Sequence, residues 1–126
     1  VLNAGVYLEH NTDADDLSWL STWNRTIAIN LDAAGLLTKK AIEHYKTSGG
    51  GRLIYIASRA VFRGETEEYL GYAASKGGLV SLARSVARSF GRYNVKSFIL
   101  APGFVRTAMA NQFIETYGEQ RVCDVD

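Results

Sequence analysis

Apolar residues recur at three- and four-residue steps through the first part of the chain: Leu17, Leu20, Trp23, Ile27 and Leu31, then Leu36, Leu37, Ala41, Ile42 and Tyr45. Side chains at that spacing share one face of an α-helix. The stretch E-H-N-T-D-A-D-D before them is polar and offers an N-cap with first-turn carboxylates near Asp13 to Asp15. The helical period outlasts an ordinary globular helix, which predicts two consecutive helices or one with a bend. Asn30 lies near the middle, and its side chain competes for backbone partners, so a local irregularity is expected there. Gly49-Gly50-Gly51 closes the region.

The pattern then changes period. Leu53 to Ala57, L-I-Y-I-A, is a continuous apolar run of the kind buried on both faces of a parallel sheet, and Val95 to Ala101 is a second, cut off by Pro102-Gly103. Between them a polar loop through Glu68 leads to a helix over about Tyr72 to Phe90, with Leu79, Leu82, Ala83, Val86, Ala87 and Phe90 as its apolar stripe and Gly91 as its C-cap. Ala73, Ala74, Gly77 and Gly78 on that helix leave room for close approach of another backbone. Val1 and Leu2 read as the end of a strand left through Asn3-Ala4-Gly5, and a short helix is expected from Thr107 to Tyr117. Strand, helix, strand, helix, strand is the order of an α/β fold with a doubly wound parallel sheet.

Composition narrows the function classes. At 126 residues the chain has the size of one domain, and 47% hydrophobic with 21% charged residues is ordinary for a globular one. Fourteen basic against thirteen acidic side chains give a net charge of +1, which provides no basic field for nucleic acid or an anionic membrane. A small-molecule ligand is expected. Cys123 is the single cysteine, so an internal disulfide and a cysteine-based zinc site are excluded and a reducing compartment, the cytoplasm, is expected. The opening V-L-N-A-G-V and closing R-V-C-D-V-D read as the interior of a larger domain.

The chemistry gathers in S-R-A-V-F-R-G-E-T-E-E-Y-L-G-Y-A-A-S-K, residues 58–76. On a helix, Tyr72 and Lys76 stand one turn apart on the same face, where an ammonium can act on a phenol whose ordinary pKa is about 10. Ser58 falls at the carboxyl end of a buried strand, the edge at which open α/β sheets bind ligands. Other groups carry weaker patterns. Asp13, Asp15, Asp16 and His10 fit helix capping better than a metal site, and Glu65, Glu67 and Glu68 crowd one loop where glycosidase acids would face each other across a cleft. Arg84, Arg88 and Arg92 line one helix face as a solvated or subunit-facing stripe, Tyr69 suits a loop or pocket wall, and His44 has no evident partner.

N-A-G at a strand exit, Asn30 in I-N-L-D-A-A-G, Ser58 in I-A-S-R-A, Y-x-x-x-K, and P-G-F-V-R-T together resemble the short-chain dehydrogenase/reductase family, in general pattern the 3-oxoacyl carrier-protein reductases. The resemblance runs from Asn3 to at least Thr107. It implies the C-terminal portion of a Rossmann-type domain, here residues 1–126, that uses NAD or NADP to interconvert a secondary alcohol and a ketone. By that resemblance Tyr72 is the general acid/base, Lys76 binds the nicotinamide ribose and lowers the tyrosine pKa, Ser58 hydrogen-bonds the substrate oxygen, and Asn30 holds a relay water. Asn3, Ala4 and Gly5 lie beside the cofactor, and Pro102, Gly103 and Thr107 face its nicotinamide end. It also implies a homodimer or homotetramer built on two helices, about Leu31 to Lys46 and Tyr72 to Phe90. Leu2 stands where the family often has another asparagine, and the serine-to-tyrosine interval is slightly long.

The Gly-rich phosphate loop of a dinucleotide fold is not in this sequence, since Gly49 to Gly51 follow a helix and precede a strand. That loop is expected upstream of Val1, and the 126-residue chain alone is expected not to hold a dinucleotide tightly. Two rivals share the pattern: a non-catalytic binding or scaffold protein with the same fold, and an extended-type sugar epimerase or dehydratase, which also uses Y-x-x-x-K. The N-A-G and P-G-x-x-x-T elements favour the short-chain type over the latter.

Overall fold

Two six-residue strands, β1 (Gly51–Ile56) and β2 (Val95–Leu100), run parallel in register from Gly51 opposite Val95 to Ile56 opposite Leu100. The computed structural model describes residues 1–105 and 107–118. Arg106, Cys123 and the closing R-V-C-D-V-D lie outside the described residues. Leu2 extends the sheet on the other side of β1 by a single parallel bridge to Tyr55, its N–H reaching the Ile54 carbonyl at 2.8 Å and its carbonyl taking the Ile56 N–H at 3.1 Å. The chain then leaves at Asn3, at the carboxyl edge of the sheet.

Helices fill the intervals. α1 (Asp16–Ile27) starts where the aspartates predict, with the Asp15 carboxylate accepting the Ser18 N–H at 3.0 Å. Residues Ala28–Asp32 form a π-helical turn, the irregularity expected around Asn30, and α2 (Ala33–Ser48) continues from it. Gly49 ends α2 in the left-handed conformation at φ 86°, a position with little cost for glycine. α3 (Ala60–Arg63) and a 3-10 turn (Glu67–Tyr69) occupy what the sequence reads as a loop, and α4 (Leu70–Phe90) begins two residues before Tyr72. Gly91 does not turn the chain: it is right-handed and opens a 3-10 turn (Gly91–Tyr93), and Asn94, at φ 58°, makes the left-handed reversal into β2. α5 (Ala108–Tyr117) closes the described chain, capped by Thr107, whose Oγ1 accepts the Ala110 N–H at 3.2 Å.

The core lies between one face of the sheet and the helices. Leu79, Ala83 and Val86 of α4 and Ala34 and Ile42 of α2 bury against Leu53, Tyr55 and Val95. Tyr55 is fully buried, with its hydroxyl 2.8 Å from Thr38 Oγ1, so the ring adds apolar area without an orphaned polar atom. Gly78 takes the Leu31 side chain against its Cα; the small residue admits a leucine there and not a second backbone. Two expectations are corrected. The strands alternate: Phe98 and Leu100 are 47% and 53% exposed, because the described helices cover only the face carrying Leu53, Tyr55 and Val95. And Leu17 is 82% exposed with Leu20, Leu36 and Leu37 also at the surface, because the face of α1 and α2 that packs is the one carrying Thr26, Asn30, Ala34, Thr38 and Ile42. No helix among the described residues is long and apolar enough to cross a membrane.

Candidate active site

A cleft of about 610 Å³ opens at the carboxyl edge of the sheet, where Asn3, Ala57 and Pro102 leave their strand ends. Asn3, Ala4, Gly5, Ser58, Tyr72, Lys76, Pro102, Gly103 and Thr107 line it. Tyr72 and Lys76 arrive from the first turns of α4, Ser58 from the turn after β1. The fold thus brings together in one cavity every residue singled out for chemistry or cofactor contact except Asn30, which lies behind the wall.

Asn30 is 1% exposed, with both amide donors and its oxygen hydrogen-bonded. Its Oδ1 accepts the Val6 N–H at 2.7 Å; its Nδ2 donates to the Val6 carbonyl at 2.9 Å and to Ser75 Oγ at 3.0 Å. Ser75 passes the link on by donating to the Tyr72 carbonyl at 2.8 Å. The side chain therefore fixes two backbone segments of the cleft, the one after Gly5 and the one bearing Tyr72. A substituent on Gly5 would meet Lys76 Nζ at 3.4 Å and Asn30 Oδ1 at 3.5 Å, so the small residue lets these groups close up.

Lys76 is buried, and its Nζ donates to the Ile56 carbonyl at 2.9 Å, the last carbonyl of β1. The ammonium lies 5.9 Å from the Tyr72 ring centroid. Burial pushes its pKa down. The sequence reading has Lys76 lowering the phenol pKa; in this geometry the Tyr72 pKa is raised, first by burial, and the group opposing that rise is the Ser58 hydroxyl beside it, with Glu65 adding to the rise. The reason is reach: the lysine stem runs along α4 to the strand-end carbonyl and not to the phenol oxygen. Ser58 Oγ also accepts the Ala60 N–H at 3.2 Å, which starts α3 and holds the serine in place.

Residues that no short motif marks form the rest of the wall. The Tyr7 ring stacks on Tyr69 at 3.8 Å and meets Tyr72 edge-on at 4.7 Å, and its hydroxyl donates to Glu65 Oε2 at 3.2 Å. Burial, with Glu65 beside it, holds the Tyr7 phenol well above the usual tyrosine range. Phe104, Met109 and Phe113 supply apolar surface from the segment after β2. Tyr69 is buried behind Tyr7 and lines a separate, smaller cavity with Phe113 and Tyr117, not the cleft itself. His10 Nε2 accepts the Gly71 N–H at 3.0 Å, and no group of three His, Cys, Asp or Glu able to hold a metal occurs among the described residues. The only sequence hint of Tyr7 is an aromatic two residues past N-A-G.

Comparison with known proteins gives the family. The family model for short chain dehydrogenase matches residues 1–118, and the chain belongs to that family. It is 37% identical over 71% of its length to an uncharacterized oxidoreductase of Thermotoga maritima, and 35% identical over 74% to the (3R)-3-hydroxyacyl-CoA dehydrogenase of Rattus norvegicus. It covers 34% and 36% of those proteins, about a third of their length. Among solved structures, it resembles a putative NAD(P) dependent gluconate 5-dehydrogenase from Beutenbergia cavernae, with bound NADP, at TM-score 0.83 and 30% identity over 97% of this chain and 46% of that one. A gluconate 5-dehydrogenase from Burkholderia cenocepacia matches at TM-score 0.86 and 23% identity over 98% and 47%, a likeness of fold. The two-stranded parallel sheet with its bridge and helices is a partial Rossmann-type fold.

Proposed function

We propose that the protein carrying this chain is an NAD(P)-dependent oxidoreductase that interconverts a secondary alcohol and a ketone, with Tyr72 as the general acid/base. The observation that carries this reading is the convergence of the Tyr72 and Ser58 hydroxyls and the Lys76 ammonium on one cleft at the carboxyl edge of a parallel sheet. Asn3, Ala4 and Gly5 on one side and Pro102, Gly103 and Thr107 on the other present short side chains and backbone around Lys76, a wall that fits a flat nicotinamide and its ribose. When bound, the nicotinamide supplies or takes the hydride.

The chain's own residues handle the proton. The Tyr72 phenol, protonated at neutral pH, can donate to an oxygen that gains negative charge, the step of the reducing direction. With substrate bound, the single Ser58 hydroxyl proton turns to the same substrate oxygen and orients it. Lys76 anchors the ribose and neutralises charge near the phenol. Asn30 acts through the backbone it fixes and, in the relay reading, through a water held beside it. Domain and oligomer follow the same proposal: residues 1–126 as part of a cofactor-binding domain in a cytoplasmic homodimer or homotetramer, with the exposed Leu36 and Leu37 of α2 available for a subunit contact.

The test is an absorbance assay of the full-length protein with NADH and NADPH against a panel of ketones, alongside nicotinamide fluorescence on titration. Oxidation of one cofactor that depends on a ketone and on Tyr72 supports the reading. Cofactor binding with no turnover across the panel favours the non-catalytic scaffold.

A further inference from the structure

The helix that carries Tyr72 starts without a polar cap of its own. Tyr69 occupies the N-cap position of α4 and makes no capping hydrogen bond. Early N–H groups of a helix need partners, and a buried one left unpaired costs heavily. The Gly71 N–H, next to Tyr72, finds its partner in His10 Nε2 at 3.0 Å, across 61 residues of sequence. His10 is 4% exposed, packed against the Trp19 ring at 4.8 Å and the Trp23 ring at 6.2 Å. The His10 backbone N–H donates to the Glu68 carbonyl at 2.8 Å, a second tie to the turn that leads into α4. A Cβ on Gly71 would lie 3.1 Å from Nε2, so glycine at that position admits the ring.

We propose that His10 is a positioning residue for the proton donor: its imidazole caps the helix bearing Tyr72 and fixes where the phenol stands in the cleft. Together with Val6 on Asn30 and Tyr7 on Tyr72, it makes residues 6–10 a brace along the start of α4. An imidazole that accepts at Nε2 carries its proton on Nδ1. Protonation of Nε2 removes the lone pair and sets a cation at the positive end of the helix dipole, so acid opens the cap. The ionisable groups nearest it on the surrounding elements are Tyr7, Glu9 and Asp13 on its own segment, Asp15 and Asp16 at the start of α1 with Arg25 at its end, Glu67, Glu68 and Tyr69 on the 3-10 turn, and Tyr72 and Lys76 on α4. Glu9 is engaged by Asn11 and Tyr117, and Asp15 caps α1. Burial outweighs the rest and pushes the His10 pKa below the usual histidine value, partly offset by the backbone of Trp19. The cap is therefore complete above the ordinary histidine pKa of about 6.5 and is lost as pH falls through the lower value that His10 has in the folded protein.

The activity arm of the test rests on the proposed oxidoreductase reading; the tautomer arm does not. In the full-length protein, ¹⁵N NMR of the ring should report the Nδ1–H tautomer at neutral pH. H10F should lower kcat about tenfold or more while leaving both KM values within about twofold, the signature of a misplaced reacting group. H10Q, whose Oε1 accepts the same N–H, should restore most of kcat and remove the acid limb that His10 imposes on it. An Nε2–H tautomer, a wild-type kcat in H10F, or an unchanged acid limb in H10Q would each overturn the proposal. Where H10F fails to fold, the pH profile of H10Q decides. If the wild type turns over no ketone, the activity reading fails, and the tautomer with the pH dependence of Tm in wild type and H10Q still decides the cap.

Discussion

The Asn30 amide engages both polar groups of the Val6 peptide, accepting its N–H at 2.7 Å and donating to its carbonyl at 2.9 Å. A residue in a π-helical turn thereby holds the segment that follows N-A-G, and through Ser75 it also holds the backbone of Tyr72. Replacing Asn30 with leucine orphans the Val6 pair and the Ser75 link. The expected loss is about 2–4 kcal/mol of unfolding free energy, summed from buried groups worth about 1–3 kcal/mol each, read from urea denaturation. Asn30→Asp loses the two donors and should fall close to the leucine variant; a loss below about 0.5 kcal/mol in both would contradict the clamp.

Tyr72→Phe keeps the ring against Tyr7 and removes only the hydroxyl. It should cut kcat by about 100-fold or more, the contribution of a general acid, while cofactor affinity by fluorescence titration stays near wild type. Near-normal kcat would remove Tyr72 from the mechanism.

Alkaline pH should unfold the protein through its buried tyrosines. Burial raises the pKa values of Tyr7, Tyr55, Tyr69 and Tyr72 above 10, so the unfolded chain loses these protons first. Their contribution to stability is intact below about pH 10, the unfolded value, and declines as pH rises through the higher folded values. The urea midpoint should be flat up to about pH 9 and then drop, and Tyr7→Phe should flatten the drop. A midpoint that rises above pH 10 would refute the assignment.

Glycine substitutions should separate conformational need from simple tolerance. Gly50 sits at φ 112°, and a methyl there would run into the Asn94 carbonyl, so Gly50→Ala should destabilise by more than about 1 kcal/mol. Gly35 lies inside α2, where a methyl group on its Cα would meet nothing within 4 Å, so Gly35→Ala should stabilise by about 0.5–1 kcal/mol. Thermal melts of both variants check the pair, and equal shifts in one direction would contradict the contrast.

Much of the architecture was legible because it rests on local rules. The apolar run at Leu53 to Ala57, the Asp15 cap, the left-handed Gly49 and the irregularity at Asn30 each follow from residues within a few positions of one another. Ser58, Tyr72 and Lys76 were legible as a set because a strand end and a helix start place them by short-range geometry. His10 and Tyr7 were not. Their partners, Gly71 and Tyr69, lie about sixty residues away, and no periodicity encodes which ring meets which helix end.

The sequence alone determined the alternation of helices and strands, the edge of the sheet at which the cleft opens, and the residue types there able to move a proton. Tertiary structure decided which face of α1 and α2 packs inward, that Lys76 reaches the Ile56 carbonyl and leaves Ser58 as the group opposing the rise of the phenol pKa, and that the Asn30 amide serves the backbone of Val6. The physical reason is range. Period and capping are settled within a turn or two of chain, whereas burial, and with it the pKa of Tyr72 and the partner of every buried polar atom, exists only once distant segments have excluded water from between them.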